Sequence, residues 1–161
     1  MKKIRIALIA HLLCISTATF AHGNEEHEYK GPVKKEQTDW GIAGNAKGAR
    51  TIKISMLDTM RFVPDQIVVK KGESIRFVIT NEGQMLHEFV LGTQKVLDEH
   101  AALMVKFPNM EHSEPYMAHV PVGKNKALVW TFNRPGTFNF ACLIAGHYQA
   151  GMKGQITVAD K

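Results

Sequence analysis

Cysteine is almost absent from this chain: its 161 residues include two, Cys14 and Cys142. Cys14 lies in an N-terminal stretch unlike the rest. Met1-Lys2-Lys3-Ile4-Arg5 gives a positive start, Ile6 to Ile15 is apolar apart from His11, and small residues lead to Ala21. That layout is expected of a secretory signal peptide over residues 1–21, too short to be read as a membrane span. An uncleaved anchor is the competing reading. Cleavage is expected after Ala21, with Thr19 as the small residue two positions before it; Ala18 is the alternative site. Leu13 stands where a small residue would precede a lipid-attachment cysteine, so Cys14 is not read as one. After export a single cysteine remains. It cannot form an internal disulfide in an oxidising compartment, so Cys142 is inert, pairs with a partner or carries chemistry.

Strong charge is lacking too. The 20 basic and 15 acidic residues include three basic and no acidic ones in residues 1–21, leaving 17 against 15, a net +2. No block of Lys and Arg with interleaved aromatics points to nucleic acid. No repeat of solenoid length is visible, and no apolar run beyond the leader suggests membrane insertion after its cleavage.

What is present after the leader divides in two. Residues 22–50 are rich in Gly, Lys, Glu and Asn, with little apolar content beyond Trp40 and Ile42, and read as a flexible arm. His22 and His27 within it are metal donors or incidental surface histidines. Residues 51–161 read as one domain. Ile52, Ile54 and Met56 alternate with polar residues, Arg61–Asp65 interrupts, and Ile67–Val69 resumes. Lys71-Gly72-Glu73 marks a turn before a strand over Ser74–Thr80, and Leu86–Leu91 continues the series. Val96, Leu97, Ala101 and Met104 then recur at helical spacing behind Thr93, a candidate cap. An irregular segment is expected through Val122, followed by strands over Ala127–Phe132, Thr137–Cys142 and Gln155–Val158. Short strands at turn-punctuated spacing imply an all-β antiparallel sandwich with a helix-bearing insertion.

The chemistry concentrates near the C-terminus. One expected strand ends in Cys142, a Gly-containing loop carries His147, and Met152 precedes the final strand. The pattern C-x4-H-x4-M places a thiolate, an imidazole and a thioether on one loop, short enough to curl around one ion. Soft sulfur favours Cu(I), imidazole serves both oxidation states, and His₂Cys with a weak axial Met is the electron-transfer copper arrangement. The loop supplies one histidine. His87, just after the loop Asn81–Leu86 and at the entry to an apolar strand, is the best second one. Taken singly, His87 would be a structural histidine, Cys142 a buried thiol and Met152 core packing; it is their joint spacing that argues for copper.

Here the chain resembles the cupredoxins, the family of plastocyanin, pseudoazurin and azurin, and within it the periplasmic branch associated with copper tolerance. The matching stretches are Asn81–Gly92, Pro135–Met152 and Gly154–Val158, within a resemblance running from about Thr51 to the C-terminus. It implies a Greek-key β-sandwich holding one type 1 copper ion, with His87, Cys142 and His147 in plane and Met152 as the weak axial ligand. The Cys-to-His spacing is similar to azurin and the His-to-Met spacing to plastocyanin. Glu88 departs from the asparagine that several relatives carry after the first histidine, where it ties the two ligand loops together. A charged side chain there is costly unless solvated or paired.

A second signal lies in the insertion. Met110-Glu111-His112 and Met117-Ala118-His119 are two Met-x-His pairs, with His100 and Met104 one helical turn apart nearby. Met110, His112, Met117 and His119 are candidate donors for additional Cu(I). The alternative is that Met104 packs into the core while the others decorate a loop. The expected function is periplasmic one-electron transfer in copper tolerance or respiration, with a redox partner protein. Copper buffering or delivery to a copper-handling protein is the rival. An enzyme of the multicopper oxidase or nitrite reductase kind is not expected, because no His-Cys-His run and no second such domain are present.

Overall fold

The computed structural model describes residues 35–108, 110 and 113–160. The expected signal peptide, His22, His27 and His112 lie outside them. Among the described residues, ten strands build two five-stranded sheets packed face to face, with one helix. In chain order the strands are β1 (Ile42–Ala43), β2 (Arg50–Leu57), β3 (Arg61–Val63), β4 (Gln66–Lys70), β5 (Glu73–Asn81) and β6 (His87–Gly92). After the helix α1 (Gln94–Lys106) come β7 (Met117–Val120), β8 (Asn125–Phe132), β9 (Gly136–Ala141) and β10 (Lys153–Ala159). One sheet runs β1-β8-β5-β2-β3 and the other β4-β10-β9-β6-β7.

The strand patterns explain the layering. Ile75, Phe77 and Ile79 of β5 face inward at period two beside Leu128, Trp130 and Phe132 of β8. From the opposing sheet come Phe89, Leu91, Phe140 and Ile156, and Phe62 completes a chain of ring contacts with Phe89 and Phe140 at 5.9 and 5.1 Å. Strand β6 breaks the alternation, since all six of its residues are buried. Its inner face lines the sandwich core, while Val90 on the outer face is covered by Leu97, Ala101 and Met104 of α1. The helix forms where expected. Thr93 Oγ1 accepts a hydrogen bond from the Val96 amide at 3.3 Å, and the buried residues at spacings of four and three form one apolar stripe.

Three expectations need correction. The sandwich is not purely antiparallel, because β2 pairs with β5 and β4 with β10 in parallel. The stretch read as irregular through Val122 contains β7, an edge strand on β6 with only four residues and no alternation to betray it. Likewise Arg61–Val63, read as an interruption, pairs antiparallel with β2 before a cis Val63–Pro64 bond. Of the segment expected over residues 22–50 as a flexible leader or loosely docked arm, the part from Thr38 onward is docked. Trp40 is buried, its ring lies edge-on to Tyr116 at 5.3 Å, and its carbonyl accepts from Trp130 Nε1. Strand β1 then adds to β8. Trp40 suffices to anchor the segment because it meets Tyr116 and Trp130.

Candidate metal centre

Neighbouring strands of one sheet bring three donors together at one end of the sandwich. His87 opens β6 on its inward face, Cys142 follows β9, and His147 sits on the loop between β9 and β10. One donor atom from each lies within 4.8 Å of the others. Cys142 Sγ is 3.3 Å from His147 Nδ1, and the two imidazole centroids are 5.0 Å apart. His87 and Cys142 are fully buried, whereas His147 is partly exposed. Met152, also fully buried, is held beside Cys142 by the hydrogen bond from the Cys142 amide to its carbonyl at 3.1 Å.

The loop from Cys142 to Met152 is shaped by its own backbone. The amide of His147 bonds the Ile144 carbonyl, that of Ala150 bonds Gly146, and that of Met152 returns to His147, all at 2.9–3.0 Å. Gly146 and Gly151 take φ values of 92° and 91°, where a side chain would be strained, so both reversals need glycine. Arg61 Nη1 donates to the Ala150 carbonyl at 3.1 Å and fastens the loop to β3. Of the residues expected around the loop as an apolar rim, Leu143 is instead buried under α1. Ile144, Ala145, Ala150 and Met85 remain partly or fully exposed.

Electrostatics favours neutral donors before any metal arrives. Burial pushes the Cys142 thiol up to about 12, although the Glu88 amide donates to its sulfur at 3.3 Å. Burial, then the neighbouring His87, pulls His147 below the ordinary imidazole range, so its lone pair is available at neutral pH. A metal fits this group on an observation independent of its residue types. His87 Nδ1 is buried with no hydrogen-bond partner among the described residues, although its other nitrogen, Nε2, lies 3.0 Å from Asp58 Oδ1. A buried ring nitrogen without a partner, on an imidazole grouped with a thiol and a second imidazole, suits a metal ligand.

Glu88 resolves the difficulty its charge posed. Its Oε2 accepts from the Leu143 amide at 3.3 Å, so this carboxylate ties the two ligand segments together as the asparagine of relatives is expected to do. Oε1 lies at ion-pair distance, 3.1 Å, from His119 Nε2 across β7, without the alignment of a hydrogen bond. The buried carboxylate is therefore paired.

That contact redefines the Met/His insertion. His119 faces Glu88, and Met117 is buried in the cluster under α1 together with Met104. Met110 is partly exposed beyond the helix, beside Phe107 and Pro108. Met117 and His119 are thus engaged with the fold, while the Met110 amide bonds the Phe107 carbonyl at the helix end.

Sequence reading did not reach Asp58, Asn81, Asp98 or Tyr148. Asp58 lies 29 residues before the histidine it contacts, with no local motif to mark it. Tyr148, next to His147, donates to Asp98 Oδ1 at 2.5 Å and accepts from Gln94 Nε2 at 2.9 Å, joining the ligand loop to α1. Burial, and then the Asp98 carboxylate that holds the hydroxyl proton, raises the Tyr148 phenol to about 12.

Fold and donor set define a cupredoxin. The chain belongs to the copper binding proteins of the plastocyanin/azurin family, whose pattern it matches over residues 49–159. It is 41% identical over 155 residues to the copper-resistant cuproprotein CopI of Rubrivivax gelatinosus, covering 91% of this chain and 94% of that one. It is 37% identical to the protein of the same name from Pseudomonas aeruginosa, covering 70% and 78%. Among solved structures it is similar to reduced auracyanin from Roseiflexus castenholzii. The TM-score is 0.60 at 20% identity, over 70% of this chain and 98% of the other. Copper is accordingly the cofactor of the family to which this chain belongs.

Proposed function

We propose that His87, Cys142, His147 and Met152 hold one type 1 copper ion and that the chain is an exported, periplasmic one-electron carrier serving copper tolerance or respiration, not an enzyme. The observation that carries this reading is the convergence of the unpaired His87 Nδ1, the Cys142 sulfur and the His147 ring at one end of a rigid sandwich. Bound there, copper supplies a one-electron couple. The protein's part is to keep the donors from rearranging. His87 is anchored to a strand and to Asp58, Cys142 to the Glu88 and Met152 backbones, and the loop by its glycine turns. Full burial of His87, Cys142 and Met152 excludes water from that side. His147 is the most exposed of the four, and with the exposed apolar Met85 (41%) and Leu86 (46%) just before His87 it makes a natural contact point for a redox partner.

The test is the visible absorption spectrum of the mature protein with added Cu(II), beside Cys142→Ser. An intense thiolate-to-copper band, lost in the variant, is expected; folded, copper-loaded protein without the band would refute the assignment. Buffering or delivery of copper is the second reading, favoured by relatives named for copper resistance. Fast electron self-exchange supports the carrier, whereas transfer of copper to an apo partner supports delivery.

A further inference from the structure

We infer that Asp58 is a positioning residue of the metal centre: its carboxylate fixes which nitrogen of His87 faces the donor group and biases the site toward Cu(II). The inference rests on the ligand assignment above. Asp58 lies in the turn between β2 and β3, far from His87 in sequence, and reaches it through a purpose-shaped loop. Its Oδ2 accepts from the Gln84 amide at 2.6 Å while Oδ1 meets His87 Nε2 at 3.0 Å. Asn81, almost fully buried, shapes that loop. Its Oδ1 accepts from the Gly83 amide at 2.9 Å, and its Nδ2 donates to the carbonyls of Met85 and Val120 at 2.7 and 2.8 Å. Gly83 leaves the space for the carboxylate, since a Cβ there would come within 2.6 Å of Asp58 Cγ. Backbone, side chain and missing side chain all converge on placing one carboxylate against one ring nitrogen.

The chemistry follows from donor and acceptor counting. A carboxylate accepts, so Nε2 carries the hydrogen and Nδ1 keeps its lone pair. Nδ1 is the buried atom without a partner among the described residues, on a ring that offers a nitrogen within 4.8 Å of the Cys142 and His147 donors. A carboxylate behind a ligating imidazole also makes the ring more electron-rich, and this stabilises the higher metal charge more than the lower. Asp58 is about one-third exposed, so solvent weakens but does not remove its influence on a fully buried ring.

The experiment uses the full mature chain with Asp58→Asn and Gly83→Ala. The first removes the charge; the second keeps the carboxylate but displaces it from outside. Both variants are expected to retain the thiolate-to-copper band and to lose about tenfold or more in Cu(II) affinity relative to Cu(I). A tenfold selective loss corresponds to a rise of about 59 mV in reduction potential. A second readout needs no copper: the 15N signals of the His87 ring in the apo protein. They are expected to show hydrogen on Nε2 in the wild type and a shift of that balance in both variants. Folded variants with unchanged potential and unchanged ring signals would overturn the role of Asp58. If Asp58→Asn does not fold, Gly83→Ala carries the same comparison. Absence of the band from the wild type would instead refute the copper assignment, while the apo ring signals would still decide whether Asp58 sets the tautomer.

Discussion

Two regions of this molecule are equally rich in soft and nitrogen donors, yet the fold treats them oppositely. At the end of the sandwich, His87, Cys142 and His147 are drawn together with Met152 held beside Cys142, and one buried ring nitrogen has no partner among the described residues. In the insertion, Met104 and Met117 are spent on packing beneath α1, and His119 stands against the Glu88 carboxylate. Donor type therefore does not distinguish a metal centre from scaffolding. What distinguishes them is whether the surrounding structure already satisfies the donors.

The contrast can be broken most forcefully at Met104. Truncation to Ala empties space under the helix and is expected to cost about 2–5 kcal/mol in denaturant unfolding, with the thiolate-to-copper band in place. Loss of the band in a folded Met104→Ala protein would show that the helix cluster is part of the centre. Glu88→Ala comes next. It leaves the Leu143 amide unpaired and releases His119, with an expected cost of about 1–3 kcal/mol. Unlike Met104→Ala, it should also alter the band, because the tie between ligand segments is lost. Stability lost without spectral change would make Glu88 purely structural.

The pH dependence sharpens the same comparison. A Cys142 thiol that keeps its proton to about 12 must release it when sulfur binds the metal. Apparent Cu(II) affinity at the centre should then rise about tenfold per pH unit across the neutral range, provided the other donors are already neutral. A flat competition titration over that range would show the thiol ionised beforehand. Without copper, the unfolded chain would ionise this thiol at its ordinary value of 9.0 and the folded chain only near 12. The apo fold is therefore expected to lose stability as pH climbs between those values. The smallest effect is expected at Met110, where Ala should leave copper stoichiometry unchanged; loss of a bound Cu(I) ion would assign copper to the insertion.

The strands that carry the core were legible because burial on one face imposes period two, as in Ile75, Phe77 and Ile79. The helix was legible from its stripe and cap together. Strand β7 was not, because Met117-Ala118-His119-Val120 is a short edge piece whose burial does not alternate. The donor group was visible wherever chain spacing set it, in Cys142, His147 and Met152. Asp58 and the pairing of Glu88 with His119 were not, since those contacts depend on strands from distant parts of the chain meeting side by side.

The loop from Cys142 to Met152 starts and ends on the same rung of the structure. Ala141 faces Lys153 in the β9–β10 ladder, and Cys142 is bonded to Met152 just above them. What lies between is a hairpin tip moored from three sides: Leu143 to Glu88, Tyr148 to α1 and the Ala150 carbonyl to Arg61. A tip closed at its base and moored along its length carries the imidazole as a fixed part of the sandwich rather than as a loose end.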